Sequence, residues 1–233
     1  RAFGAGVEVE RLWHELVNLL RCPLKYNVDS FLLSDENDRV HRFRDALRGP
    51  LGRLTSVSRQ GGDWWRENAN RDTQHTRDFR AATLKGSNFL QTPAEELARP
   101  FTNWGPQGQI ALASHRWWAE LATVFSQRQL DMSDCFGIKA AEVGLDTLHH
   151  SLWWNISQNV GRTDVIPLPG ITGCITPGGE HFGPHKGRCI LGYEKLLLSG
   201  IPADKLLLGT ESEVQLSDLA GNAMAMPVVS AAI

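Results

Sequence analysis

The sequence predicts an α/β chain with a long helical or irregular middle stretch. Three observations lead there. Apolar residues recur at helical spacing near the N-terminus and again from Trp117 to Phe125. Short apolar runs at Val28–Leu33 and Leu152–Ile156 are flanked by polar or turn residues and read as strands. Between these stretches, Gly49 to Thr102 follows neither period. A chain of 233 residues is long enough for a sizeable core, as one domain or two small ones.

In chain order, Val7 to Leu20 fits a helix with Leu12, Leu16, Leu19 and Leu20 on one face, and Pro23 stops it. After the strand candidate Val28–Leu33, the cluster Ser34-Asp35-Glu36-Asn37-Asp38 marks a turn or cap, and Val40 to Leu47 reads as a helix ending at Gly49-Pro50. Asp63-Trp64-Trp65-Arg66-Glu67 begins either a helix or an aromatic surface, and Pro93 starts a short helix through Leu97. Ser114 to Leu130 has helical order, and Ser126-Gln127-Arg128-Gln129 marks a boundary before a second helix, Leu130 to Val143.

The last quarter is the best organised. Gly170 to Gly183 is rich in Gly, Thr and Pro and reads as a turn region. An apolar run from Cys189 to Leu198 ends at Ser199-Gly200-Ile201-Pro202, and a helix candidate, Glu211 to Leu219, breaks at Ala220-Gly221-Asn222-Ala223. The small residues at 220–223 permit close backbone approach or positive φ, and Pro227 suits the first turn of another helix.

Composition narrows the function classes. A formal net charge of -2 supplies no global basic field to advertise a nucleic acid, although a local patch would suffice. From Arg39 to Arg80 there are ten Arg and no Lys, with Asp45, Asp63, Glu67, Asp72 and Asp78 among them. Arginine's planar fork suits phosphate or carboxylate partners, and a mutually paired surface is the other reading. The four cysteines are scattered without a Cys-x-x-Cys pair, which makes reduced thiols the default. No apolar run approaches the roughly 20 residues that span a bilayer, so no membrane partner is expected.

Gly221-Asn222-Ala223 with Pro227-Val228-Val229 resembles the last sequence motif of the DNA cytosine-5 methyltransferases, and Arg188, Glu194, Gly200, Ile201 and Pro202 resemble the motif before it. The Thr-Pro-Gly region ahead of a leucine-rich helix is similar to the divergent methyltransferase-like segment of fungal and algal chromatin proteins. In those relatives an Asp/Asn-x-Ser-Gln segment with a following Arg occupies the place of Asn155 to Arg162. The resemblance implies a partial Rossmann-like methyltransferase C-terminal region: 1–48 as the end of an upstream core, 49–150 as a target-recognition-like insertion, and 151–233 carrying the late motifs. It departs from the usual pattern at Tyr193, where Arg is usual, and at Leu196-Leu197-Leu198-Ser199, which makes that helix more of a packing helix.

Site expectations follow. The resemblance implies that Gly221, Asn222 and Ala223 line S-adenosylmethionine; a helix cap is the competing role for Asn222. The turn Thr176-Pro177-Gly178-Gly179 can meet a phosphate backbone through its N–H groups, with Lys186 and Arg188 as nearby charge. Arg188 alternatively pairs with Glu194 and braces the fold, beside Gly200 and Pro202 as structural residues. Gln158 and Arg162 are further candidates for contacting double-stranded DNA. Cys174, His181, His185 and Cys189 form a chemically sensible zinc set, but their spacing is not a common finger pattern and no metal is expected. The pairs Trp64-Trp65, Trp117-Trp118 and Trp153-Trp154 suit core packing better than base stacking, since adjacent side chains diverge.

Cytosine methylation by this family implies a Pro-Cys nucleophile, a Glu-Asn-Val glutamate and a Gly-rich cofactor loop. Cys22-Pro23 has the reverse order, Glu67-Asn68-Ala69 lacks a preceding β-run, and Phe3-Gly4-Ala5-Gly6 has no strand before it. No catalytic residue is therefore assigned. The chain begins with Arg1, and the expectation is a fragment or degenerate member that needs a missing upstream segment or partner chain. The alternative is a catalytically inactive scaffold. Family resemblance places it in the nucleus.

Overall fold

The computed structural model describes residues 26–48, 63–86, 102–104, 110–112, 125–160 and 168–223, together with Arg11, Leu12 and Glu15. The helix expected at Pro93–Leu97 lies outside the described residues, of the one expected over Ser114–Leu130 only 125–130 are described, and the N-terminal one is described only at Arg11, Leu12 and Glu15, all helical. Five helices are described: α1 (Asp38–Arg48), α2 (Asp63–Gly86), α3 (Gln127–Glu142), α4 (Gly192–Leu198) and α5 (Glu213–Asn222). The strands are β1 (Thr102–Trp104), β2 (Ile110–Leu112), β3 (Trp154–Asn155), β4 (His181–Gly183) and β5 (Arg188–Cys189). The mixed α and β content agrees with the predicted class. Both described sheets are antiparallel: β1 pairs with β2, and β3-β4-β5 form a three-stranded sheet in register Trp154↔Phe182 and Phe182↔Cys189.

Capping chemistry sets the helix boundaries. Ser126 accepts from the Gln129 N–H while the Gln129 side chain accepts from the Ser126 N–H, so α3 starts at Gln127, three residues before the predicted start. Ser212 and Gln215 repeat that capping box at α5. α4 ends in a Schellman motif: the Ile201 N–H donates to the Leu196 carbonyl, the Gly200 N–H to Leu197, and Gly200 takes φ +76°. That is why the Gly200-Ile201-Pro202 turn stands where it does.

Two elements differ from expectation. Val28–Phe31 is a single 3-10 turn, not a strand. Asn27 accepts from the Ser30 N–H, and this local cap competes with extended pairing. The helix α5 runs through Gly221 and Asn222 without breaking, and Gly221 has no positive φ. Close approach, the other use foreseen for these small residues, is the one realised. A Cβ on Gly221 would lie 2.1 Å from the Pro177 nitrogen.

The main core gathers Val40 of α1, Met132, Cys135, Phe136 and Ala140 of α3, Leu152, Trp154 and Ile156 around β3, Phe182 of β4, and Cys189 and Leu191. It thus draws on the stretches 1–48, 49–150 and 151–233 alike. Trp154 stacks on Phe136 at 5.7 Å between ring centroids. Its neighbour Trp153 faces a separate cluster with Val28 and Ile190, so this tryptophan pair divides between two layers as its spacing predicts. A third cluster, Leu196, Ala203, Leu216 and Ala220, joins α4 to α5. Among the described residues, no helix is long and apolar enough to cross a membrane.

Candidate functional site

The site is built where the loop after β3 meets the turn at Thr176–Gly179, which in turn packs on the end of α5. After β3, the Asn155 side-chain oxygen accepts from the N–H groups of Ser157 and Gln158 and from the Ser157 hydroxyl. That Asx-type turn holds Ser157 to accept from the Glu180 N–H at 2.9 Å. Gln158 then reaches across to donate to the Thr176 hydroxyl at 3.4 Å. Its carbonyl accepts from Arg128 of α3.

Thr176 to Gly179 is a tight turn closed by the Gly179 N–H donating to the Thr176 carbonyl at 2.9 Å. Pro177 followed by Gly178 at φ +64° is the type II sequence arrangement. Pro177 and Gly178 are exposed. Gly221 packs against the Thr176–Pro177 peptide with no room for a side chain. Beyond it, Asn222 is exposed at the end of α5, and its amide nitrogen donates to the Asp218 carbonyl at 2.8 Å. The side chain thus bonds its own helix backbone, as foreseen, although the C-cap is Ala223 and Gly221 takes no unusual φ.

Behind the turn lies a lysine that sequence reasoning missed. Lys195 is 1% exposed and donates to the Gly179 carbonyl and to the Ser217 hydroxyl, each at 2.6 Å. A lone cation in the run from Cys189 to Leu198 was the available signal. Burial raises the Glu180 carboxyl, with the Lys195 charge and the Cys189 thiol pulling the other way. Burial, with the Lys195 charge adding to it, holds the His181 imidazole at about 4, the Cys174 backbone pulling the other way.

The pairing of Arg188 with Glu194 was foreseen, and what sequence reasoning missed is its tie to Leu33. Glu194 and Arg188 are both fully buried and form a bidentate pair with two N···O distances of 2.8 Å. The same carboxylate accepts from the Leu191 and Leu33 N–H groups, while Arg188 donates to the Leu33 carbonyl. Arg188 is therefore the brace that the sequence offered as its alternative role. With no exposed surface, it cannot meet a phosphate. A neighbouring pair, Arg39 of α1 and Glu213 of α5, meets at 2.8 Å with the Arg39 guanidinium 4.8 Å over the Tyr193 ring. Tyr193, the departure from the usual arginine, thus serves packing and cation–π contact.

The remaining expected residues sit elsewhere. Lys186 is half-buried in the β4–β5 turn, and Gly200 and Pro202 lie at the far end of α4. Arg162 is outside the described residues. The zinc set does not assemble: His185 pairs with Asp29 at 3.1 Å and packs edge-on to Trp153, and no group of three His, Cys, Asp or Glu among the described residues is placed to hold a metal. Burial first, with the charges of Asp134 and Asp131, pushes the Cys135 thiol up to about 12. Burial, with Glu180, raises Cys189 well above its usual value. Neither is poised as a nucleophile.

By sequence, this chain is a methyltransferase-like segment related to the DNA cytosine-5 methyltransferases. In particular, it is similar to the DNA (cytosine-5-)-methyltransferase DMT5 of Cryptococcus neoformans var. grubii, with 31% identity over 222 residues, 95% of this chain and 9% of that relative. It is 34% identical to the protein of the same name in Verticillium dahliae over 135 residues, 58% of this chain and 6% of that relative. The chain therefore spans under a tenth of the length of these curated relatives. No protein-family profile matches it.

Proposed function

We propose that this chain supplies a DNA-contacting turn and the closing wall of an S-adenosylmethionine pocket to a DNA cytosine-5 methyltransferase. The observation that carries the reading is the direct packing of Gly221 on Thr176–Pro177. It joins the segment resembling the cofactor motif to the segment expected to meet DNA. Gln158, Thr176 and Gly178 offer amide, hydroxyl and backbone N–H groups to phosphates or base edges. Asn222 presents its exposed carboxamide oxygen to a ribose hydroxyl or to the ammonium of the methionine moiety, with Gly221 and Ala223 lining the same end. S-adenosylmethionine, when bound, supplies the electrophilic methyl group. The residues described here orient and enclose it, as one Rossmann-like wall. The nucleophilic cysteine and its partner glutamate belong to the remainder of a longer nuclear protein or to a partner chain.

A scaffold without catalysis is the second reading, favoured by the buried, protonated thiols of Cys135 and Cys189. Titration calorimetry with S-adenosylmethionine and with a cytosine-containing duplex separates the two. Binding of cofactor to the wild type, weakened about tenfold or more in Asn222→Ala by loss of its hydrogen bond to the ligand, supports the pocket. Binding of neither ligand supports the scaffold.

A further inference from the structure

We propose that Lys195 is a positioning residue that couples the two halves of this site, so that DNA held at the Thr176–Gly179 turn tightens S-adenosylmethionine at Gly221–Asn222. The inference rests on the function proposed above and adds the linkage between its two ligands.

A buried ammonium is costly unless its donors are met, and a leucine at this position would extend the apolar run that follows. Lys195 is 1% exposed, and two of its donors are committed at 2.6 Å, one to the Gly179 carbonyl of the turn and one to the Ser217 hydroxyl of α5. Ser217 and Gly221 are i and i+4 on α5 and share one face. Gly221 holds the Thr176–Pro177 end of the turn by contact, and Ser217 holds the Gly179 end through Lys195. One helix face thus grips both ends of the turn. The turn cannot shift without drawing on the last turn of α5, where Asn222 stands. Gly192 adds to the rigidity from the other side, where a Cβ would lie 2.1 Å from the Glu213 carbonyl oxygen and 2.6 Å from the Ser217 nitrogen. Two sites joined by an element with so little slack share a coupling free energy, and the effect is reciprocal.

The test uses Lys195→Met, which keeps the volume and removes the donors, and Ser217→Ala, which keeps the lysine and removes one acceptor. Amide hydrogen exchange is read at Gly179 and at Gly221–Ala223, with α3 as the internal control. Both variants are expected to speed exchange at the turn and at the α5 end together, by about tenfold or more, and to leave α3 unchanged. In the second arm, the Kd of S-adenosylmethionine is measured with and without a cytosine-containing duplex. The wild type should show a ratio of about fivefold or more, falling toward unity in both variants while cofactor still binds alone. Variants that keep the wild-type ratio, or exchange that rises at the turn and not at α5, overturn the proposal. A wild type that binds neither ligand overturns the proposed function and the ligand coupling with it, while the exchange arm still decides whether Lys195 ties the turn to the helix.

Discussion

Replacing Glu194 by Gln removes one charge and changes almost no volume, which makes it a sharp probe of the hub. Four donors converge on the two carboxylate oxygens: Oε1 accepts from Leu33 N and Arg188 Nη2, and Oε2 accepts from Leu191 N and Arg188 Nη1. In glutamine one of these oxygens becomes an NH2 group, so two of the four donors face another donor whichever way the amide is turned. Arg188 meanwhile stays fully buried and loses its partner's charge. Breaking one side of a buried pair costs about 3–5 kcal/mol. At about 2–4 °C per kcal/mol for a chain of this length, Tm falls by roughly 6–20 °C. Urea unfolding followed by tryptophan fluorescence reads the effect as a lower midpoint at constant slope. The double variant Arg188→Met/Glu194→Gln should cost clearly less than the sum of the single ones, because the orphaned charge is gone. A loss under about 1 kcal/mol for Glu194→Gln, or strict additivity in the cycle, would refute the reasoning.

Three further outcomes follow from the geometry. Gly221→Ala places a methyl group 2.1 Å from the Pro177 nitrogen, a backbone atom that no rotamer change can move. It should destabilise by about 3 kcal/mol or more in denaturant melts and displace the turn, detectable as loss of exchange protection at Gly179. His181 is held at about 4 in the folded chain, chiefly by burial, against an ordinary 6.5. The unfolded chain therefore takes up a proton first as pH falls, and stability is lost across that window, by about 3 kcal/mol in all, with the contribution fully present above it. His181→Phe should flatten the profile between those two values. Ser212→Ala removes the capping box of α5 and should cost about 1 kcal/mol in the same melts.

Much of this architecture was legible before any coordinates. The boundary at Ser126–Gln129, the Gly200 helix stop and the divergence of Trp153 from Trp154 are local chemistry, written within a few adjacent residues, whereas the equally local Ser212/Gln215 cap starts α5 at Glu213, two residues after the expected Glu211. The pairing of Arg188 with Glu194, six residues apart, was legible too. The strand expected at Val28–Leu33 failed for a local reason too, since the Asn27 cap outweighs a short apolar run.

What the chain order could not reveal are the bonds between distant segments. Glu194 reaching Leu33, Arg39 reaching Glu213, and Lys195 reaching Gly179 and Ser217 span 16 to 174 positions, and no local period encodes them. Gly221 shows the division most plainly. Residue type alone announces that something must come close or that the backbone must turn left. Only packing decides between these, because the space a missing side chain leaves is defined by whichever remote peptide fills it, and here that peptide is Thr176–Pro177.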